Sequence, residues 1–469
     1  MVREGWRGTN LAAYETDFYH NLVQATPTFR MHLGEGEAFL AGIDAACAKR
    51  NMTTQLCAGN PHSFLTSLDF PTITNARASI DYDWDGLPGN PKNTGPRSVQ
   101  GAHNWASSDN SYVFWATRVA PSKDNFWTSY RDLTSLGYGA DSGRNGMDAE
   151  LHALGALLST GPVGIGDYIG MLNATLVRRL ARADGILLRP DRPLAPMDAM
   201  WASLMMDEGS SHAMPNLCTK AQEAQGAKAL CGARLWQTHA TVAREDATRA
   251  PELATAPTRT LVSHAGVDAT RVSTIVAALE QMPDLLLQHI IVSVDQNASF
   301  AVRRLDVYPA IGRQQLVLVR DASDGGINAP CVKGSDALAS GCFAIADPTS
   351  GTLFNAASKA QACSQGGVFG RERSGACMHT VKTWQIFVAA SDATSVFLGD
   401  VSVYVSLSGY RFRLAPGGDS TKIAVVGHPD ESVTLSWAVL GADKKTWNVA
   451  TRDVIIGPTG REVVPFTPL

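Results

Sequence analysis

Short apolar runs alternate with helical patterns over the first two hundred residues. The run 10–17 (NLAAYETD) reads as a strand ending in an acid, and 37–51 carries apolar residues at helical spacing. Strands are predicted for 52–61, which runs into a Gly-Asn-Pro turn, for the β-branched 70–81, and for 111–121. A helix follows at 148–160, then a strand at 161–167, then a helix over 171–185 with Gly185 as its C-terminal cap. Strands alternating with helices indicate parallel βα units. Polar residues recur where the predicted strands stop: Asp17, Asn60, Asp81, Arg118 and Asp167. In a (β/α)8 barrel that end is the catalytic face, and an open doubly wound sheet also places its ligand there. Periodicity alone leaves both architectures open.

The pattern changes after about residue 205. Apart from 272–282, helical spacing gives way to strand-like runs, among them QQLVLVRDA, TWQIFVAAS, VSVYVSLSGYRFRL and KIAVVG, separated by Gly, Asp, Ser and Pro. This reads as an antiparallel β-sandwich. The expected organisation is therefore α/β over residues 1–203 followed by an all-β domain over 204–469.

Composition narrows the function classes. The chain has 469 residues, 45% hydrophobic and 18% charged, with a formal net charge of −4. That balance gives no electrostatic footprint for nucleic acid or an anionic membrane. No apolar run approaches the roughly 18 residues of a membrane span, and the first residues show no signal-peptide h-region. Of eight cysteines, six form close pairs: Cys218/Cys231, Cys331/Cys342 and Cys363/Cys377. None has zinc or redox spacing, so loop disulfides in an oxidising compartment compete with buried thiols. Sequons at Asn51, Asn173 and Asn297 favour the secretory pathway.

The chemistry on offer is acidic. Asp17 and Asp81, each ending a different predicted strand, fit the two-carboxylate requirement of glycosidic cleavage, with a separation of about 5 Å for retention. The competing reading is that strand-end aspartates cap the following helices. His20, His62, His103 and His152 are scattered, so no metal site is predicted, and no serine-hydrolase elbow occurs. GPVGIGDYIG (161–170) is one residue off a dinucleotide fingerprint, and Asp167 would repel a pyrophosphate, so a nucleotide cofactor is not expected.

Several of these segments resemble one known family. The stretch 161–190 (GPVGIGDYIGMLNATLVRRLARADGILLRP) is similar to the last barrel strand and helix of the family-36 group of α-galactosidases and raffinose synthases. NARASIDYD resembles that group's R-A-S-D-D-F segment, with Arg77 four residues before Asp81. VAPSKDNFW is similar to its P-x-W-D-M-F segment, with Lys123 in place of the tryptophan, and AAYETDF falls at its K-x-D nucleophile strand, with Glu15 in place of the lysine.

The resemblance spans residues 10–200 in the family's order. It implies the C-terminal portion of a (β/α)8 barrel, about five βα units, completed by an upstream segment or a partner. It also implies a retaining α-glycosidase that needs no cofactor. Asp17 would be the nucleophile and Asp81 the acid/base. Arg77, Asp124 and Asp167 would hold the sugar, with Glu15, Cys57, Asn60 and Trp84 as further contacts. An aromatic wall is expected from Trp84, Trp105 or Trp115. Asp83 and Asp85 are read as loop acids. A non-catalytic carbohydrate-binding remnant and a galactosyl transferase like raffinose synthase are the alternatives, and Glu15 leaves the glycone open.

Overall fold

The computed structural model describes residues 11–17, 22, 25–57, 65–78, 111, 113–129, 149–190, 193, 195–196, 234–241, 287–295, 299–303, 315–321, 343–346, 352–357, 380–390, 393–416, 421–442 and 447–465. It is a mixed α/β and β structure. The chain divides into two compact units that exchange segments. One is Met1–Gly146, Gly155–Tyr168 and Pro193–Ala195; the other is Met147–Leu154, Ile169–Arg192 and Pro196–Leu469.

The first unit is built on a parallel sheet of β1 (Ala13–Thr16), β2 (Thr53–Leu56), β3 (Ile73–Arg77) and β4 (Ala120–Ser122), ordered as they occur in the chain. Between β1 and β2 lie α1 (Pro27–Met31) and α2 (Glu35–Ala48). Glu35 and Glu37 in the first turn of α2 suit the positive end of its dipole. Leu40 of α2 joins Leu56, Phe70, Ile73, Ala76, Ala78, Phe114 and Val119 in one buried cluster. A carboxylate pins the helix to the sheet: Asp44 Oδ1 accepts from the Thr72 backbone N–H (2.9 Å) and from its hydroxyl (2.5 Å).

Two predicted elements of this unit come out differently. Residues 113–116, expected as strand, form a helical turn. Phe114 is its buried anchor, and Arg118, at φ 65°, closes the turn before β4 begins. Burial of one aromatic ring overrides the β propensity of Tyr, Val, Phe and Trp. Among the described residues, 161–167 make one parallel bridge, Ile165 to Phe126, flanked by Phe126 N–H to Gly164 O (3.2 Å) and Gly166 N–H to Phe126 O (2.9 Å). The glycines here serve close approach. A Cβ on Gly161 would sit 1.5 Å from Pro121 O, and one on Gly166 2.7 Å from Asn125 Oδ1.

The second unit contains part of α3 (Ala149–Leu158), all of α4 (Ala174–Arg178), and antiparallel sheets. With β5 (Ala195–Pro196), β6 (Arg234–Thr241), β7 (Leu287–Asp295), β8 (Ser299–Arg303), β9 (Gln315–Asp321), β10 (Phe343–Ala346), β11 (Thr352–Ala357) and β12 (Thr380–Ala390), the chain forms a six-stranded sheet in the order β10-β9-β12-β7-β6-β5 and a β8–β11 pair. The last strands are β13 (Ser395–Gly399), β14 (Phe412–Leu414), β15 (Lys422–Val426), β16 (Ser432–Leu440), β17 (Trp447–Ile455) and β18 (Arg461–Pro465). They form two three-stranded sheets, β13-β16-β17 and β14-β15-β18, which share one core. Phe397 meets Phe412 edge-on at 5.2 Å and Trp437 at 5.4 Å.

The predicted helix 171–185 is short. Asn173 caps α4 by accepting from Leu176 N–H (3.1 Å), and the chain then turns through an Arg182–Asp184 ion pair. Gly185, at φ 83°, serves that turn rather than a helix cap. The alternating run 401–414 is strand only at 412–414. Residues 401–411 are turns, buried except at Ser402, Gly409 and Tyr410, and several of their carbonyls find donors elsewhere. The fully buried Gln385 donates through Nε2 to Val403 O (3.3 Å) and Tyr404 O (3.0 Å), and Tyr404 N–H reaches Arg179 O (3.2 Å). Burial without a ladder is possible because a side-chain amide takes the ladder's place.

Replacing Gln385 with Leu should therefore lower the unfolding free energy by about 2 kcal/mol, the cost of leaving buried carbonyls without a donor. Urea denaturation checks this; an unchanged midpoint would show that the amide is dispensable.

Candidate functional site

Side chains two residues apart leave a strand on the same face, and residues paired in a parallel ladder share that face. The pairings Glu15–Gln55–Asn75–Ala120 therefore place one polar row on a single face of the sheet. The next step along the strands brings Asp17, Cys57, Arg77 and Ser122 to the carboxyl ends. The opposite face carries Leu56 and Ala76, which join the buried cluster with Leu40. One face is thus for packing and the other is polar.

Contacts within the polar face are direct. Asn75 Nδ2 donates to Gln55 Oε1. Arg77 Nη1 donates to Asp124 Oδ2 at 2.8 Å, and Asp124 Oδ1 accepts from Asn125 N–H at 2.8 Å. Cys57, 4% exposed, donates its thiol hydrogen to the Asp17 carboxylate. Burial, then that hydrogen bond, push the Cys57 thiol from its ordinary 9.0 up to about 12. The nearby Arg77 charge pulls it down, and the Asp17 and Glu15 charges add to the rise. Those couplings place Glu15, Asp17, Cys57 and Arg77 in one electrostatic neighbourhood. Glu15 and Asp17 themselves are exposed.

Of the predicted site residues, the structure gathers Asp17, Glu15, Cys57, Arg77 and Asp124. Asp167 stands on the segment bridged to Phe126 and is committed to a loop: its Oδ2 accepts from Thr128 N–H (2.9 Å) and Thr128 Oγ1 (2.6 Å). Those bonds make it a loop fastener. Trp115 stands on the helical turn that precedes β4. Asp81, Asn60, Trp84 and Trp105, with the three predicted cysteine pairs, lie outside the described residues. Among the described residues no three His, Cys, Asp or Glu side chains are grouped to hold a metal ion, and no helix is long and apolar enough to cross a membrane.

Sequence patterns missed two residues. Ser122 is buried and on the Arg77 side of the sheet, and among the described residues its Oγ has no hydrogen-bond partner. Lys123, next along, is also buried. The signal for Ser122 is a strand too short to alternate, and Lys123 stood out only as the replacement for a tryptophan in the resembling segment. Such an assembly of carboxylates, a guanidinium, a thiol and a buried hydroxyl can bind a polyhydroxylated ligand and supply an exposed carboxylate for nucleophilic or electrostatic work. No protein-family model matches the chain, and no curated protein matches it.

The raised thiol pKa gives a signed prediction. A thiol whose folded pKa lies above its unfolded value contributes stability that is intact below pH 9.0 and lost as pH rises towards about 12. In folded protein at pH 8, peptide mapping should find Cys57 unmodified by iodoacetamide, and modified once urea is added. Fast labelling without urea would contradict this.

Proposed function

We propose that the chain carries the site of a retaining α-glycosidase of the family-36 type, on a sheet that forms part of a (β/α)8 barrel, with a β-sandwich in the second unit. The observation that carries the reading is the convergence of Asp17, Cys57, Arg77 and Asp124 at the carboxyl ends of parallel strands. Four strands standing in chain order, with the Phe126–Ile165 bridge continuing in the same sense, support a barrel over a doubly wound sheet, whose order reverses.

In the proposed reaction the Asp17 carboxylate attacks the anomeric carbon. The bond to the leaving oxygen breaks as Asp81 delivers its proton. Asp81 then takes a proton from water, the water oxygen bonds to the anomeric carbon, and the ester bond to Asp17 breaks. Arg77, four residues before Asp81, orients the Asp124 carboxylate through its 2.8 Å ion pair. Transfer to a sugar acceptor instead of water would follow the same two steps.

Hydrolysis of aryl α-galactosides and α-glucosides tests the reading. Turnover should fall about 10⁴-fold or more in Asp17→Gly, the scale of losing a covalent-catalysis group. Added azide should restore turnover by taking the place of the missing carboxylate. Sugar binding without any turnover in the unmodified chain would identify a binding protein instead.

A further inference from the structure

The nucleophile assignment leaves Cys57 without a task. Three observations give it one. The pairing of Thr16 with Leu56 sets Asp17 and Cys57 side by side at the end of adjacent parallel strands, and Cys57 N–H bonds to Thr16 O at 3.0 Å. Their side chains leave the sheet on one face, with the thiol 4% exposed. The buried thiol hydrogen meets the Asp17 carboxylate, and a hydrogen bond to a charged oxygen is stronger than one between neutral groups.

We propose that Cys57 is a positioning residue, whose S–H orients the Asp17 carboxylate at the strand ends and holds it ionised. The proposal rests on the glycosidase reading for its consequence and on the strand pairing for its geometry. Because burial and the Asp17 hydrogen bond raise the thiol pKa, the donor keeps its proton at neutral pH. The neighbours pull in both directions. Glu15, two residues back on β1, opposes ionisation of Asp17. Arg77 on β3 favours it, with part of its charge offset by Asp124 beyond β4. Cys57 adds a donor without adding a charge. It also lies between Asp17 and the Arg77 strand, so its side chain bounds the orientations open to the carboxylate.

This role differs from binding sugar. Removing a side chain that only binds sugar raises KM and leaves the ionisation of Asp17 where it was. Removing a donor to Asp17 moves that ionisation upward in the absence of any ligand.

The test follows the ionisation of Asp17 in the full chain, by carbodiimide-driven amidation with glycine ethyl ester as a function of pH and peptide mass spectrometry. Three variants are compared: Cys57→Ala, Cys57→Val and Cys57→Ser. Circular dichroism identifies the folded ones. The two donor-free variants should move the Asp17 midpoint up by about one pH unit, a tenfold change in the ionisation constant, as expected for removing one hydrogen bond to a charged group. The serine variant, which keeps an O–H donor, should stay near the unmodified chain. The acidic limb of kcat/KM for an aryl α-glycoside should shift by the same amount. An Asp17 midpoint that is the same in every folded variant overturns the proposal and leaves the glycosidase reading intact. A shifted midpoint in a chain that turns over no α-glycoside supports the positioning role and removes the glycosidase reading.

Discussion

The register of four parallel strands is the constraint on which the site depends. Asp17, Cys57, Arg77 and Ser122 come from four places in the chain, and the backbone ladder puts them in one row. Had β2 slipped by one residue, Leu56 would join the polar row and Cys57 would turn into the packing cluster. Leu56, Ala76 and their partners therefore hold the site indirectly, by making every alternative register bury polar groups. The Asp44–Thr72 hydrogen bonds act in the same sense by tying α2 to the start of β3.

The second unit solves a different problem. Its segment 401–411 is apolar enough for a strand but is folded as turns, and charged or amide side chains replace the missing ladder. Arg411, 3% exposed, donates to Val426 O at 3.1 Å and to Glu431 Oε1 at 2.7 Å. Burial raises the Glu431 pKa, yet the bonds and charge of Arg411 and the N–H groups of His428 and Ala183 outweigh it and hold the carboxyl below its ordinary value. Glu150 accepts from both Arg179 (2.8 Å) and Tyr404 (2.7 Å), and the Arg179 guanidinium lies 3.8 Å from the Tyr404 ring centre. In each cluster a carboxylate is paired with a guanidinium at hydrogen-bond distance, which offsets the cost of burying the two charges.

Much of the first unit was legible in the sequence because its signals are local. An acid after a short strand marked Asp17, and the parallel sheet of α/β character follows from strands alternating with helices. Cys57 and Arg77 entered only through the family resemblance, because the second and third strands read as running on to Asn60 and Asp81. What escaped depends on packing between distant segments. Helical turn 113–116 answers to the burial of Phe114 in a cluster that includes Leu40 and Val119. The 161–167 glycines make sense only beside residues 121–127. Ser122 ends a strand of three residues, too short to show which face is buried, and Lys123 follows it. Asp167 read as a sugar ligand from sequence, and only the loop around Thr128 reveals its use. The family resemblance added roles to these positions, and those roles are chemistry to be measured.

The most direct measurement is to trap the covalent intermediate. Incubating the protein with 2-deoxy-2-fluoro α-glycosyl fluorides of galactose and glucose, then mapping the labelled peptide by mass spectrometry, reports which carboxylate bonds to the anomeric carbon. The account predicts one adduct, on Asp17. An adduct on another residue, or hydrolysis of an α-glycoside with inversion at the anomeric carbon, would contradict it.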